Sequence, residues 1–225
     1  MGPAAALIAV ATNPAYYGSQ SGPAASIATN ATASALMAQA HLVSLVLTAY
    51  LLPLGLLAMV WLAMRRSPWL ASIGALVVIL GLFPLAVFAA QDASFYDIAR
   101  MGSNPLLVIF AQQFNADGIM SFYNAVFPLG IILGPILIGI ALWRVRAVPI
   151  WAAVLITLSR PCVVLIVPFL PFHLGIFVQL VSFVLLFIGS IPAALAVLRA
   201  PRNESQSTRD KEALPPHVIQ PDRSS

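Results

Sequence analysis

Five long apolar stretches separated by short turns leave this chain few folds to choose from. They run Ala40–Met64, Trp69–Ala90, Ile119–Trp143, Pro149–Leu170 and Leu174–Leu198. A helix needs about 20 apolar residues to cross ~30 Å of hydrocarbon, and each stretch approaches or exceeds that length. The expected fold is all-α: a polytopic transmembrane bundle over residues 1–198, followed by a disordered cytoplasmic tail over 199–225. Only 8% of the 225 residues are charged, against roughly 25% in a soluble domain. The tail from Ala200 is too poor in apolar side chains to fold alone.

The net charge of +4 does not imply a nucleic-acid partner, because its distribution is wrong for one. Basic residues stand singly or in pairs at the ends of apolar stretches, with no basic stripe interleaved with aromatics. The lipid bilayer is the expected partner. Arg65 and Arg66 close the first stretch, Arg144 and Arg146 the third, and Arg199 and Arg202 the fifth. The other side carries Asp92, Asp97 and Asp117 against Arg100 alone. Cytoplasmic loops are enriched in Lys and Arg, so the turns at Ser67 and Val145 and the C-terminus are expected inside a cell membrane. Trp69, Trp143 and Trp151 fall at the same ends, where indole rings settle at headgroup level.

The N-terminal part is ambiguous. Pro3–Thr12 is apolar but too short to span. It fits a loose outer segment, a short signal-like helix without a basic n-region, or the surviving part of a first span. The last reading, with its short helix within residues 1–17, would put both termini inside and bring the count to six, with Gly18–Thr32 as an outer loop. A second outer loop, Gln91–Gly118, contains an apolar run at Pro105–Phe114 expected to lie in the interface as a helix.

The hairpin from Phe127 through Trp151 has an apolar helix, then Trp143-Arg144-Val145-Arg146, then Pro149 and Trp151-Ala152-Ala153 opening the next helix. This resembles an uncharacterised group of small bacterial multi-pass membrane proteins, matching loosely over Ala33–Leu198. The resemblance implies about six helices, and it carries no catalytic residues with it.

Polar residues inside the stretches are the functional candidates. Asp117, Ser121 and Asn124 share a helix face at i, i+4 and i+7, Thr157 shares one with Arg160, and Gln179 one with Ser182. Arg160 is the sharpest, near mid-bilayer by helix rise. A charge there costs about 2.5–3.5 kcal/mol on insertion scales and is functional by default. With no Asp or Glu in a span interior, Asn124, Gln179 or Asp117 are its expected partners in an outward-opening pocket that includes Ser121 and Thr157. Prolines in every stretch favour kinks, and Pro161 bears directly on Arg160. Gly130 and Gly134 form a small-residue pair suited to a close helix neighbour, in this chain or in a second copy by self-association.

Enzyme signatures such as a nucleophile elbow, His-Glu-x-x-His or a phosphate-binding glycine loop do not occur. The lone Cys162 excludes an intramolecular disulfide, and His41 and His173 lack a third metal ligand nearby. No cofactor, metal or catalytic residue is therefore expected. The leading expectation is a non-catalytic protein with a structural, sensory or accessory role. A small transporter or channel built on Arg160 is the alternative, and an intramembrane enzyme the next.

Overall fold

A computed structural model describes residues 1–17, 22–166, 169 and 172–213, among which there are helices and no strand. The order is α1 (Gly2–Thr12), a 3-10 turn (Pro14–Tyr17), α2 (Pro23–Thr32), α3 (Ala35–Met64), α4 (Pro68–Leu82) and α5 (Pro84–Arg100). Then come α6 (Pro105–Ala116), α7 (Gly118–Val145), α8 (Ile150–Ser159), α9 (Pro161–Ile166) and α10 (Phe172–Ala213). The boundaries follow local chemistry. Ser34, Asn104 and Asp117 cap α3, α6 and α7 by accepting from Met37, Leu106 and Ile119 N–H. Prolines open α4, α5 and α6 at the first turn, where the missing N–H costs nothing.

Among the described residues, four helical segments are long and apolar enough to cross a membrane: Ala35–Met64, Pro68–Arg100, Gly118–Val145 and Phe177–Arg199. The fourth of the expected five spans, Pro149–Leu170, is not continuous. It breaks at Arg160 into α8 and the short α9, while 167, 168 and 170 lie outside the described residues. Pro161 is the physical cause. It has no N–H to return to a carbonyl of α8, although Arg160 before it keeps helical dihedrals (φ −96, ψ −37).

Three further boundaries differ from expectation. Residues 91–100, expected in an outer loop, continue α5, so the loop begins only after Arg100. Pro23–Thr32 is helical rather than loop, whereas 18–21 lie outside the described residues. The helix expected over Pro105–Phe114 is present as α6. α10 continues through Arg199 to Ala213, and 214–225 lie outside the described residues.

The N-terminal segment is neither loose nor peripheral. α1 lies antiparallel on α3, with Gly2 against Leu51 and Leu52 and Ala9 against His41. A Cβ on Gly2 would sit 2.5 Å from the Leu51 carbonyl oxygen. Ala5, Ala6 and Ala9 are buried in the contact. α1 therefore covers the middle of α3, from His41 to beyond Leu52.

The main core lies between α3, α4, α7, α8 and α10, around Leu56, Val78, Ile138, Leu142, Ile156 and Leu186. Small residues set its tightest approaches. Gly81 of α4 and Gly130 of α7 meet backbone to backbone, and Gly134 faces Val78. The neighbour of the Gly130–Gly134 pair is thus α4 of the same chain. A second small cluster (Ile27, Phe95, Ile98, Ala99 and Ala111) joins α2, α5 and α6 at the end of the bundle away from Arg65. Large apolar side chains such as Val43, Leu54, Leu76, Leu80 and Leu129 point outward, as lipid-facing positions do.

Candidate functional site

The broken helix delivers Arg160 to the bundle interior. It follows the last residue of α8, is 5% exposed, and donates from Nη1 to Ser182 Oγ of α10 at 2.9 Å. Its guanidinium carbon stands 4.4 Å from the ring centroid of Phe183, in cation–π geometry. Ser182 itself is 2% exposed. Snorkelling is not needed here, because neighbouring helices supply the polar and aromatic surface.

Arg160 and Gln179 line one cavity of about 170 Å³, bounded by α1, α3, α5, α7 and α10. The polar part of its wall is completed by Asn13, His41, Thr48 and Asp92, and the apolar part includes Leu52, Phe88 and Ile131. Phe88 meets Phe127 edge to face at 5.3 Å, closing the side toward α7. The volume is below the roughly 300–1,000 Å³ of drug-sized ligand sites and suits a small molecule or a few waters.

His41 ties three helices together at this cavity. Its Nδ1 lies 2.8 Å from the Ala9 carbonyl oxygen and its Nε2 lies 3.1 Å from Asp92 Oδ2. The Ala9 carbonyl is available because the Asn13 N–H turns to Val10 instead, as at a helix end. A carbonyl only accepts, so Nδ1 carries a proton. The Nε2–Oδ2 contact then holds one further proton, on the imidazole with Asp92 ionised or on the carboxyl with His41 neutral. His41 is thus buried, and its ring nitrogens are both engaged. The side chain of His173 lies outside the described residues.

The remaining expected site residues lie elsewhere. Asp117, Ser121 and Asn124 are exposed, so that face of α7 turns away from the cavity. Asp117 is instead the N-cap of α7. Thr157 donates to the Ala153 carbonyl oxygen at 2.8 Å and sits against Gly139, inside the α7–α8 contact. The reason is rotational: a shared face within one helix does not say toward which neighbour that face turns. Of the six expected residues, only Arg160 and Gln179 share the cavity.

Sequence reasoning passed over His41, Asp92, Thr48 and Asn13. A signal for the first and third was available: His41, Ser44 and Thr48 fall at i, i+3 and i+7 and are all buried on α3. Asp92 escaped because the segment holding it read as loop. No family model, curated protein or solved structure matches the chain.

Proposed function

We propose that this is a non-catalytic, multi-pass protein of the cell membrane that holds a small anionic ligand, such as a carboxylate, at Arg160 in a sensory or accessory role. The observation that supports this most is a buried guanidinium lining a cavity together with the amide of Gln179. A buried positive charge in the wall favours an anion, and the apolar side accommodates a short hydrocarbon body.

Binding is favoured over chemistry by the state of the neighbouring groups. Both His41 nitrogens are engaged, and the Thr48 hydroxyl donates to the Ser44 carbonyl oxygen at 2.7 Å. Both groups are thus already bonded within the bundle, which supports a structural part for them beside the ligand. Transport is the second reading, and the break at Arg160–Pro161 favours it. Transporters place substrate sites at interrupted helices, where freed backbone groups line a cavity. The arginine distribution supports an orientation with the Arg65 and Arg144 turns inside the cell.

The test is thermal stabilisation of the full chain in lipid nanodiscs by acetate, lactate and glutamate, compared with Arg160→Gln. Stabilisation of the wild type that the variant loses, by at least about tenfold in apparent affinity, is expected. No response of the wild type to any of the three would overturn the reading. Orientation is checked separately in a Cys162→Ala background with an impermeant thiol reagent. Labelling of intact cells at Ser94→Cys and not at Ser67→Cys is expected, and the reverse pattern overturns the orientation.

A further inference from the structure

At the other end of the bundle, three separate parts of the chain bring arginines to one concavity. Arg65 and Arg66 come from the end of α3, Arg146 from the turn after α7, and Arg199 from α10. They line a cavity of about 390 Å³ whose remaining described walls are Leu62, Val145, Ala147 and Ala196, with no carboxylate among the described lining residues. We propose that this cavity is a binding site for a phosphate group, carried by an anionic lipid headgroup or free in solution.

Setting the orientation of a membrane protein requires only that basic residues flank the spans. It does not require them to converge. Arg144 makes the difference visible: it is exposed and marks the same end, yet it does not line the cavity. Like charges around one concavity repel one another, and an anion placed among them relieves that repulsion. Guanidinium groups match phosphate because each can offer two parallel N–H donors, and a tetrahedral phosphate can accept from several at once. Basic pockets between membrane helices are suited to phospholipid headgroups for this reason.

Local geometry adds an independent observation. Arg146 ends α7 in the left-handed region (φ 51, ψ 35), with its N–H returned to the Leu142 and Trp143 carbonyl oxygens. Glycine or asparagine is the usual residue at such a helix end. An arginine tolerates the conformation at some cost, and here that conformation accompanies a side chain at the cavity wall. Arg65 is also held, with its guanidinium carbon 5.0 Å from the Trp61 ring centroid. Trp61 and Trp143 are both exposed at this end, where indoles settle beside headgroups. The apolar walls would then face the glycerol and first methylenes of a lipid.

The experiment is native mass spectrometry of the purified full chain with three probes: phosphatidylglycerol, phosphatidylcholine and inorganic phosphate. The variants are Arg146→Gln with Arg199→Gln, the same pair changed to Lys, and Arg144→Gln as the control. Selective retention of phosphatidylglycerol, cut about tenfold or more by the Gln pair, less by the Lys pair and not by Arg144→Gln, is expected for a lipid source. Binding of inorganic phosphate with the same variant order and no preference for phosphatidylglycerol assigns the site to free phosphate. Equal loss in Arg144→Gln and the Gln pair would reduce the effect to general charge and overturn the site. Retention of none of the probes by the wild type would overturn it as well. The Lys pair keeps the charge, so a loss confined to the Gln pair through misfolding would show in its circular dichroism.

Discussion

The seam between α4 and α7 and the cavity beside α1 are built from the same kinds of helix and pack in opposite ways. At the seam, Gly81 and Gly130 let two backbones touch, and Val78, Ile138 and Leu142 fill the remainder with almost no exposure. Beside α1, about 170 Å³ is left unfilled, with a wall that is mostly apolar and carries Arg160, Gln179, His41 and Asp92. In lipid there is little hydrophobic gain from pressing helices together, so close approach is driven by van der Waals packing and is lost wherever bulk intrudes. Small residues close one interface, whereas the other retains a cavity with a buried arginine in its wall.

The sharpest way to break this comparison is to spoil the seam. Gly81→Leu places side-chain atoms where the Gly130 backbone stands, with no flexible neighbour to yield. A loss of more than ~3 kcal/mol is expected, seen as aggregation on size exclusion in detergent. A monodisperse Gly81→Leu protein with an unchanged melting point would show that the seam is not tight.

The cavity should respond more mildly. His41→Leu removes the link from α3 to the Ala9 carbonyl oxygen and to Asp92. Leaving those groups unsatisfied should cost about 1–3 kcal/mol. Hydrogen exchange would rise in α1 before it rises in α7. Uniform exchange across both helices would mean that α1 is not held separately. Ser182→Ala removes one acceptor from Arg160 and should cost about 1 kcal/mol in thermal unfolding.

Asn124→Ala is the smallest expected effect, within about 0.5 kcal/mol, because its side chain is exposed on the outer face of α7. It should also leave ligand stabilisation at Arg160 unchanged. A loss of binding in Asn124→Ala would restore α7 to the site and contradict the rotation described above.

The apolar stretches, their proline boundaries and the arginine-marked turns were legible because each depends on local sequence alone. Arg160 stood out for the same reason: a charge in an apolar run is visible without knowing its surroundings. The partners of Arg160 were legible only in part: Gln179 was expected beside it and lines the same cavity, whereas the bond to Ser182 was not foreseen. Asp117 and Asn124 seemed available because they share a helical face, yet Ser182, Gln179 and Phe183 of α10 occupy the arginine's side of the bundle. Asp92 was hidden by one misplaced boundary, since its helix runs on to Arg100.

By itself, then, the sequence determined an all-helical, apolar chain with a proline in every stretch and positive charge gathered at one set of turns. Periodicity and composition act over a few residues and do not depend on distant contacts. Tertiary structure decided which way each helix is rotated, that α1 packs on α3, and that His41, Asp92 and Arg160 line one cavity. It also decided that Arg65, Arg66, Arg146 and Arg199 meet while Arg144 does not. Rotation and neighbour choice come from packing among all the helices at once, where a few small residues and one interrupted helix fix which faces meet.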